Sequence, residues 1–90
     1  MDKVWTVYIL RCGDGSLYTG VTTDVASRLE THRSGAGAKY TRGRGPLELV
    51  YTEQCVDKIS AFQREYAIKS LKRTEKLKMC AQWAEETPRF

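Results

Sequence analysis

Val4-Trp5-Thr6-Val7-Tyr8-Ile9-Leu10-Arg11-Cys12, then Gly13-Asp14-Gly15-Ser16, then Leu17-Tyr18-Thr19-Gly20-Val21-Thr22, is the stretch on which the fold turns. Two runs rich in β-branched and aromatic residues flank a cluster of turn formers, which is the signature of a β-hairpin. The turn decides what the hairpin can do. A two-residue Asp14-Gly15 turn pairs Cys12 with Leu17 and sends Tyr8 and Tyr18 to opposite faces. A three-residue Gly13-Asp14-Gly15 loop, with Gly15 left-handed in a bulge, pairs Cys12 with Ser16. Tyr8 then sits opposite Gly20, diagonal to Tyr18 and on the same face. The sequence permits both turns.

Downstream of the hairpin, the apolar spacing predicts a short helix over Asp24 to Ser34, capped by Thr22 or Thr23 and stopped by Gly35. Val25, Leu29 and His32 fall on one face of it. Gly35 to Pro46 has four glycines, three basic residues and no apolar period, so a loop is expected, with a helical turn near Ala38 to Tyr40. Leu47 to Cys55 reads as a third strand. Ser60-Ala61-Phe62-Gln63 matches a capping box, which predicts a helix from Ala61 to about Lys72. Thr74 is the expected cap of a last helix with Leu77, Cys80, Ala81 and Ala84 facing inward. The order is β-β-α-β-α-α, an α+β fold with a three-stranded antiparallel sheet flanked by helices.

Composition bounds the class. Ninety residues suit one domain, spanning 1–90, and 41% hydrophobic content with nine aromatics supports a thin but real core. The longest apolar run, Val7 to Leu10, is far short of the ~20 residues of a membrane span. Met1-Asp2-Lys3-Val4-Trp5 lacks the charged start and apolar stretch of a signal peptide, so a cytoplasmic placement is expected. Cys12, Cys55 and Cys80 are widely spaced and His32 is the only histidine, a set that fits reduced thiols and no familiar zinc pattern.

The net charge of +4 is unevenly placed. Residues 28–44 carry Arg28, Arg33, Lys39, Arg42 and Arg44 against Glu30 alone. Residues 64–78 carry Arg64, Lys69, Lys72, Arg73, Lys76 and Lys78 against Glu65 and Glu75. Basic clusters of this kind attract polyanions, because each phosphate contacted releases a counterion. Solvated helix faces give the same pattern.

Two charged residues sit where packing alone does not place them. Arg28 lies three after Val25 and four before His32, within the apolar face of its helix, where a fixed cation can grip phosphate with two prongs. Glu65 has Ala61, Phe62 and Ile68 as helical neighbours, and a sheltered carboxylate of that kind can hold a hard divalent cation. The structural alternatives are an arginine snorkelling past the core edge and a Glu65–Lys69 pair at helical spacing.

Val7-Tyr8-Ile9 followed by Tyr18-Thr19-Gly20, then Arg28 on one helix and Glu65 on a later one, resembles the GIY-YIG nuclease superfamily. Leu17 to Asp24, Arg28-Leu29-Glu30-Thr31-His32 and Lys39-Tyr40-Thr41-Arg42-Gly43-Arg44-Gly45-Pro46 carry the likeness, which is to small stand-alone bacterial members and to the nuclease domain of a eukaryotic structure-specific endonuclease. The resemblance implies metal-dependent endonuclease hydrolysis of phosphodiester bonds, in DNA before RNA, in repair or recombination. It implies catalytic roles for Tyr8, Tyr18, Arg28, His32 and Glu65, with Glu65 binding one Mg²⁺ or Mn²⁺. His32 stands where relatives place a tyrosine or histidine that orders the reacting water or tyrosine. Lys39, Tyr40, Arg42, Arg44 and Lys69 are the residues expected on nucleic acid. A monomer is expected, open to a protein partner and away from membranes. The chain departs from the family at Val7, in place of a glycine, and at Val21, in place of a lysine that DNA-repair relatives carry. It has no asparagine, although many relatives use one after the metal-binding glutamate. Two other classes compete: a nucleic-acid-binding module without catalysis, with Tyr40 stacking on bases, and an adaptor that keeps the fold for protein contacts.

Overall fold

The hairpin closes through its three-residue loop. In the computed structural model, which describes residues 3–86, Cys12 N–H donates to Ser16 O at 2.8 Å and Gly15 N–H to Cys12 O at 2.9 Å. Gly15 takes φ = 85°, a left-handed value that a side chain at this bulge would strain. Strand β1 (Trp5–Arg11) therefore pairs antiparallel with β2 (Leu17–Thr22) in the register Tyr8 opposite Gly20 and Leu10 opposite Tyr18. Directly opposed residues share a face, so both tyrosines stand on one side of the sheet and Val7 and Ile9 on the other.

Helix α1 (Val25–Arg33) follows, then β3 (Glu48–Cys55), α2 (Lys58–Lys69) and α3 (Arg73–Glu86). β3 pairs antiparallel with β1, giving the sheet order β2-β1-β3, and its register shifts between Ile9 and Leu10. The three-stranded antiparallel sheet with flanking helices is the fold expected from the sequence. β1, the apolar central strand, is buried from Thr6 to Leu10. Ala61 and Ile68 of α2 close over Val7 and Ile9, and Met79 and Cys80 of α3 pack against that cluster. α1 lies over the other face, where its one fully buried residue is His32.

Three local expectations are corrected. Asp24, not Thr22 or Thr23, caps α1, its carboxylate accepting from Ser27 N–H at 3.1 Å. α2 starts three residues before Ala61 because Asp57 accepts from Ser60 N–H at 2.8 Å, and a carboxylate is the stronger cap at the positive end of a helix. On α3 Cys80 and Ala84 are partly buried as expected, joined by Met79 and Trp83, while Leu77 is 40% exposed and Ala81 is exposed. Cys12, Cys55 and Cys80 are free thiols. No described helix is long and apolar enough to cross a membrane.

Candidate active site

Tyr8 is the hub of the sheet face under α1. It is 3% exposed and lies across β2 at Gly20, where an added methyl carbon would stand 2.5 Å from the phenol oxygen. Only a residue without a side chain lets the ring rest there. The Tyr8 hydroxyl reaches His32 Nε2 at 2.8 Å. Tyr18 completes the cluster, its ring centroid 6.2 Å from that of Tyr8 and 5.2 Å from the His32 ring in an edge-on arrangement.

His32 is held from behind. Its Nδ1 lies 2.9 Å from Thr41 Oγ1, whose hydroxyl is also 2.9 Å from the Ala38 carbonyl oxygen. Both His32 and Thr41 are 2% exposed. Thr41 belongs to the glycine-rich loop and was not among the expected site residues. Its place in Lys39-Tyr40-Thr41-Arg42 was visible, but no spacing rule connects it to a helix nine residues earlier.

Charge enters from two sides. Arg28 is exposed, contrary to its expected place within an apolar face. His32 is the one fully buried residue of α1 and Val25 and Leu29 are half-buried, so the residue one turn before His32 rides at the rim, where a ligand could meet it. Its guanidinium still acts on both inner groups. Burial pushes the Tyr8 phenol well above the usual tyrosine range; Tyr18 adds to this, Arg28 opposes it, and the Glu65 carboxylate raises it further. Burial and the Arg28 charge both lower the pKa of His32. Tyr8 is thus a neutral phenol and His32 a neutral imidazole at pH 7. Glu65 is 19% exposed at its side chain and pairs with Lys69 at 3.5 Å.

No group of three metal-ligating side chains occurs among the described residues. Glu65 is a single hard oxygen donor, which suits a cation that keeps most of its water and takes phosphate oxygens, as Mg²⁺ does. The donor set fits such an ion and would suit zinc poorly.

Of the expected nucleic-acid contacts, Tyr40 stacks 5.9 Å from Tyr18 and Arg44 lies over the Tyr40 ring at 4.7 Å. Arg44 also pairs with Asp14 at 2.5 Å, tying the loop to the hairpin turn. Lys39 and Arg42 are exposed on the same loop. Lys69 is occupied with Glu65, as the structural alternative had it.

Residues 4–78 match the model of the GIY-YIG catalytic domain. The chain is 56% identical over 79 residues to a UPF0213 protein of Oceanobacillus iheyensis, covering 88% of this chain and 92% of the relative. It is 55% identical over 75 residues to a UPF0213 protein of Natronomonas pharaonis, covering 83% and 88%. Two solution NMR structures are similar. The UPF0213 protein of Bacillus halodurans shares 51% identity at a TM-score of 0.57, over 88% of this chain and 84% of that one. A protein from E. faecalis shares 36% identity at a TM-score of 0.64, over 99% and 95%.

Proposed function

The chain belongs to the GIY-YIG nuclease family, and on that premise we propose that it is a divalent-metal-dependent endonuclease that hydrolyses phosphodiester bonds in nucleic acid, DNA before RNA. The observation that carries the reading is the contact of Tyr8, Tyr18 and His32 around one point, with the charges of Arg28 and Glu65 acting on the same phenol.

Hydrolysis adds negative charge to a phosphate that already carries one. Arg28, always protonated and exposed at the rim, offers two-pronged compensation. Glu65 would hold a Mg²⁺ or Mn²⁺ ion, which when bound supplies Lewis-acid charge worth several kcal/mol to the reaction. Tyr8 and Tyr18 line the place of the scissile phosphate, and Tyr40, Arg42, Arg44 and Lys39 would carry the neighbouring backbone.

The proton balance favours a relay over a preformed phenolate. Ordinary tyrosine and histidine differ by about 3.5 pKa units, so moving the Tyr8 proton to His32 costs roughly 5 kcal/mol. Both shifts here widen that gap. Tyr8 therefore keeps its proton until the attacking water gives one up, and His32, neutral beside it, is the acceptor at the end of the chain.

Labelled single-stranded, duplex, flap and junction substrates, offered with Mg²⁺ and with Mn²⁺, test the proposal. Metal-dependent cleavage that disappears in Glu65→Ala is the expected result. Tight binding without cleavage of any substrate by the wild type would leave the non-catalytic binding module as the better reading.

A further inference from the structure

The Thr41 hydroxyl has one hydrogen and sits 2.9 Å from two partners, the Ala38 carbonyl oxygen and His32 Nδ1. A carbonyl can only accept. With its hydrogen on Ala38 O, Thr41 can meet the imidazole only as an acceptor, which requires a hydrogen on Nδ1. The Ala38 N–H also points at that nitrogen, over 3.4 Å, a longer and weaker contact than the hydroxyl at 2.9 Å.

The far side of the ring accepts the same assignment. Among the described residues the Tyr8 hydroxyl makes one hydrogen bond, to His32 Nε2, and the phenol is 3% exposed. A hydrogen on Nε2 would face the phenol oxygen and turn the phenol hydrogen away from its 2.8 Å partner toward the neighbouring Tyr18. A lone pair on Nε2 accepts it.

We propose that Thr41 is a positioning residue that fixes the neutral His32 ring with its hydrogen on Nδ1, so that Nε2 is the acceptor for the Tyr8 proton. Its catalytic consequence rests on the nuclease reading; the tautomer does not. The chain runs Ala38 O, Thr41 O–H, His32 Nδ1–H, then Nε2 and Tyr8 O–H. As Tyr8 takes a proton from water and passes its own to Nε2, the imidazole becomes a cation whose Nδ1–H remains bonded to Thr41. Protons balance, and no other acceptor is required. In this arrangement Thr41 never touches substrate. It acts by keeping the wrong nitrogen occupied, the way an outer-shell partner orients a histidine elsewhere.

His32 is the only histidine in the chain, so the long-range ¹H–¹⁵N correlation spectrum of ¹⁵N-labelled protein near neutral pH reports this ring alone. The wild type and Thr41→Ser should show the hydrogen on Nδ1. Thr41→Val, similar in shape but without the hydroxyl, should move hydrogen population to Nε2. On a substrate that the wild type cleaves, Thr41→Val should lower kcat by roughly 10–100-fold with KM little changed, and Thr41→Ser should restore it. A wild-type ring protonated on Nε2, or a Thr41→Val spectrum identical to the wild type, overturns the proposal. If the wild type cleaves nothing, the nuclease reading fails while the spectra still decide the tautomer. Should Thr41→Val not fold, the wild-type and Thr41→Ser spectra decide it alone.

Discussion

Replacing Gly20 with alanine tests how the site is built with a single methyl group. The new carbon would stand 2.5 Å from the Tyr8 oxygen, 2.6 Å from its Cζ and 3.0 Å from a Tyr18 ring carbon. Ordinary contact begins near 3.4 Å, so the phenol must retreat by about 0.9 Å. Gly20 does not have positive φ, and alanine in a strand is otherwise favoured over glycine by roughly 0.5–1 kcal/mol. The steric effect is therefore isolated from backbone strain. A shift of that size either breaks the 2.8 Å contact between Tyr8 and His32 or drives it into collision. Overpacking of this kind costs about 1–3 kcal/mol, which lowers Tm by roughly 5–20 °C in a domain of this size. Misplacement near 1 Å at a reacting group costs about 100-fold in rate. Circular dichroism melts and single-turnover cleavage of the best substrate from the screen measure the two effects. A Gly20→Ala protein with wild-type Tm and wild-type rate would refute the idea that Tyr8 is positioned by its rest on the bare strand.

The remaining expectations concern charge. Glu65→Ala should abolish metal-dependent cleavage yet leave nucleic-acid affinity equal or slightly higher, whereas Arg28→Ala should lose both; filter binding and cleavage on one substrate show whether the two binding effects differ in sign. Arg42→Ala should reduce the salt slope of binding by about one unit, and Arg44→Ala by less, because Asp14 already pairs with Arg44; binding titrations over a range of salt concentrations read both slopes. The His32 pKa is lowered on folding, so the unfolded chain takes the proton first as pH falls below 6.5. The histidine contribution to stability should therefore be complete above that pH and decline beneath it, and the corresponding part of the Tm loss should vanish in His32→Asn.

Much of this site was legible because its two tyrosines are placed by a short loop. Once Gly15 is left-handed, the pairing of Tyr8 with Gly20 follows from counting residues. The sheltered position of Glu65 follows for the same local reason, from the apolar spacing of its helix, and its side chain is 19% exposed. The exposure of Arg28 was not legible, because helical phase says which residues share a face, not how deeply that face is buried, and His32 is the one fully buried side chain of α1. The start of α2 was set by Asp57, whose signal was present three residues ahead of the capping box and was outweighed by the more familiar pattern. Thr41 could not be found from sequence. Its partner lies across a loop without period, and only the fold brings the hydroxyl to the ring.

The sheet order β2-β1-β3 also separates the site in time. β1 meets β2 through neighbours such as Arg11 and Leu17, but it meets β3 by pairing Arg11 with Glu48, across the whole helix and loop between. Hairpins close in about 1–10 μs, whereas long loops must be ordered before non-local strands reward them. The two tyrosines therefore come together in the quick, local step. Glu65, on the helix that follows β3, comes after the slow closure that also completes the core. A chain emerging from the ribosome would have its two tyrosines paired across one hairpin before the last strand docks.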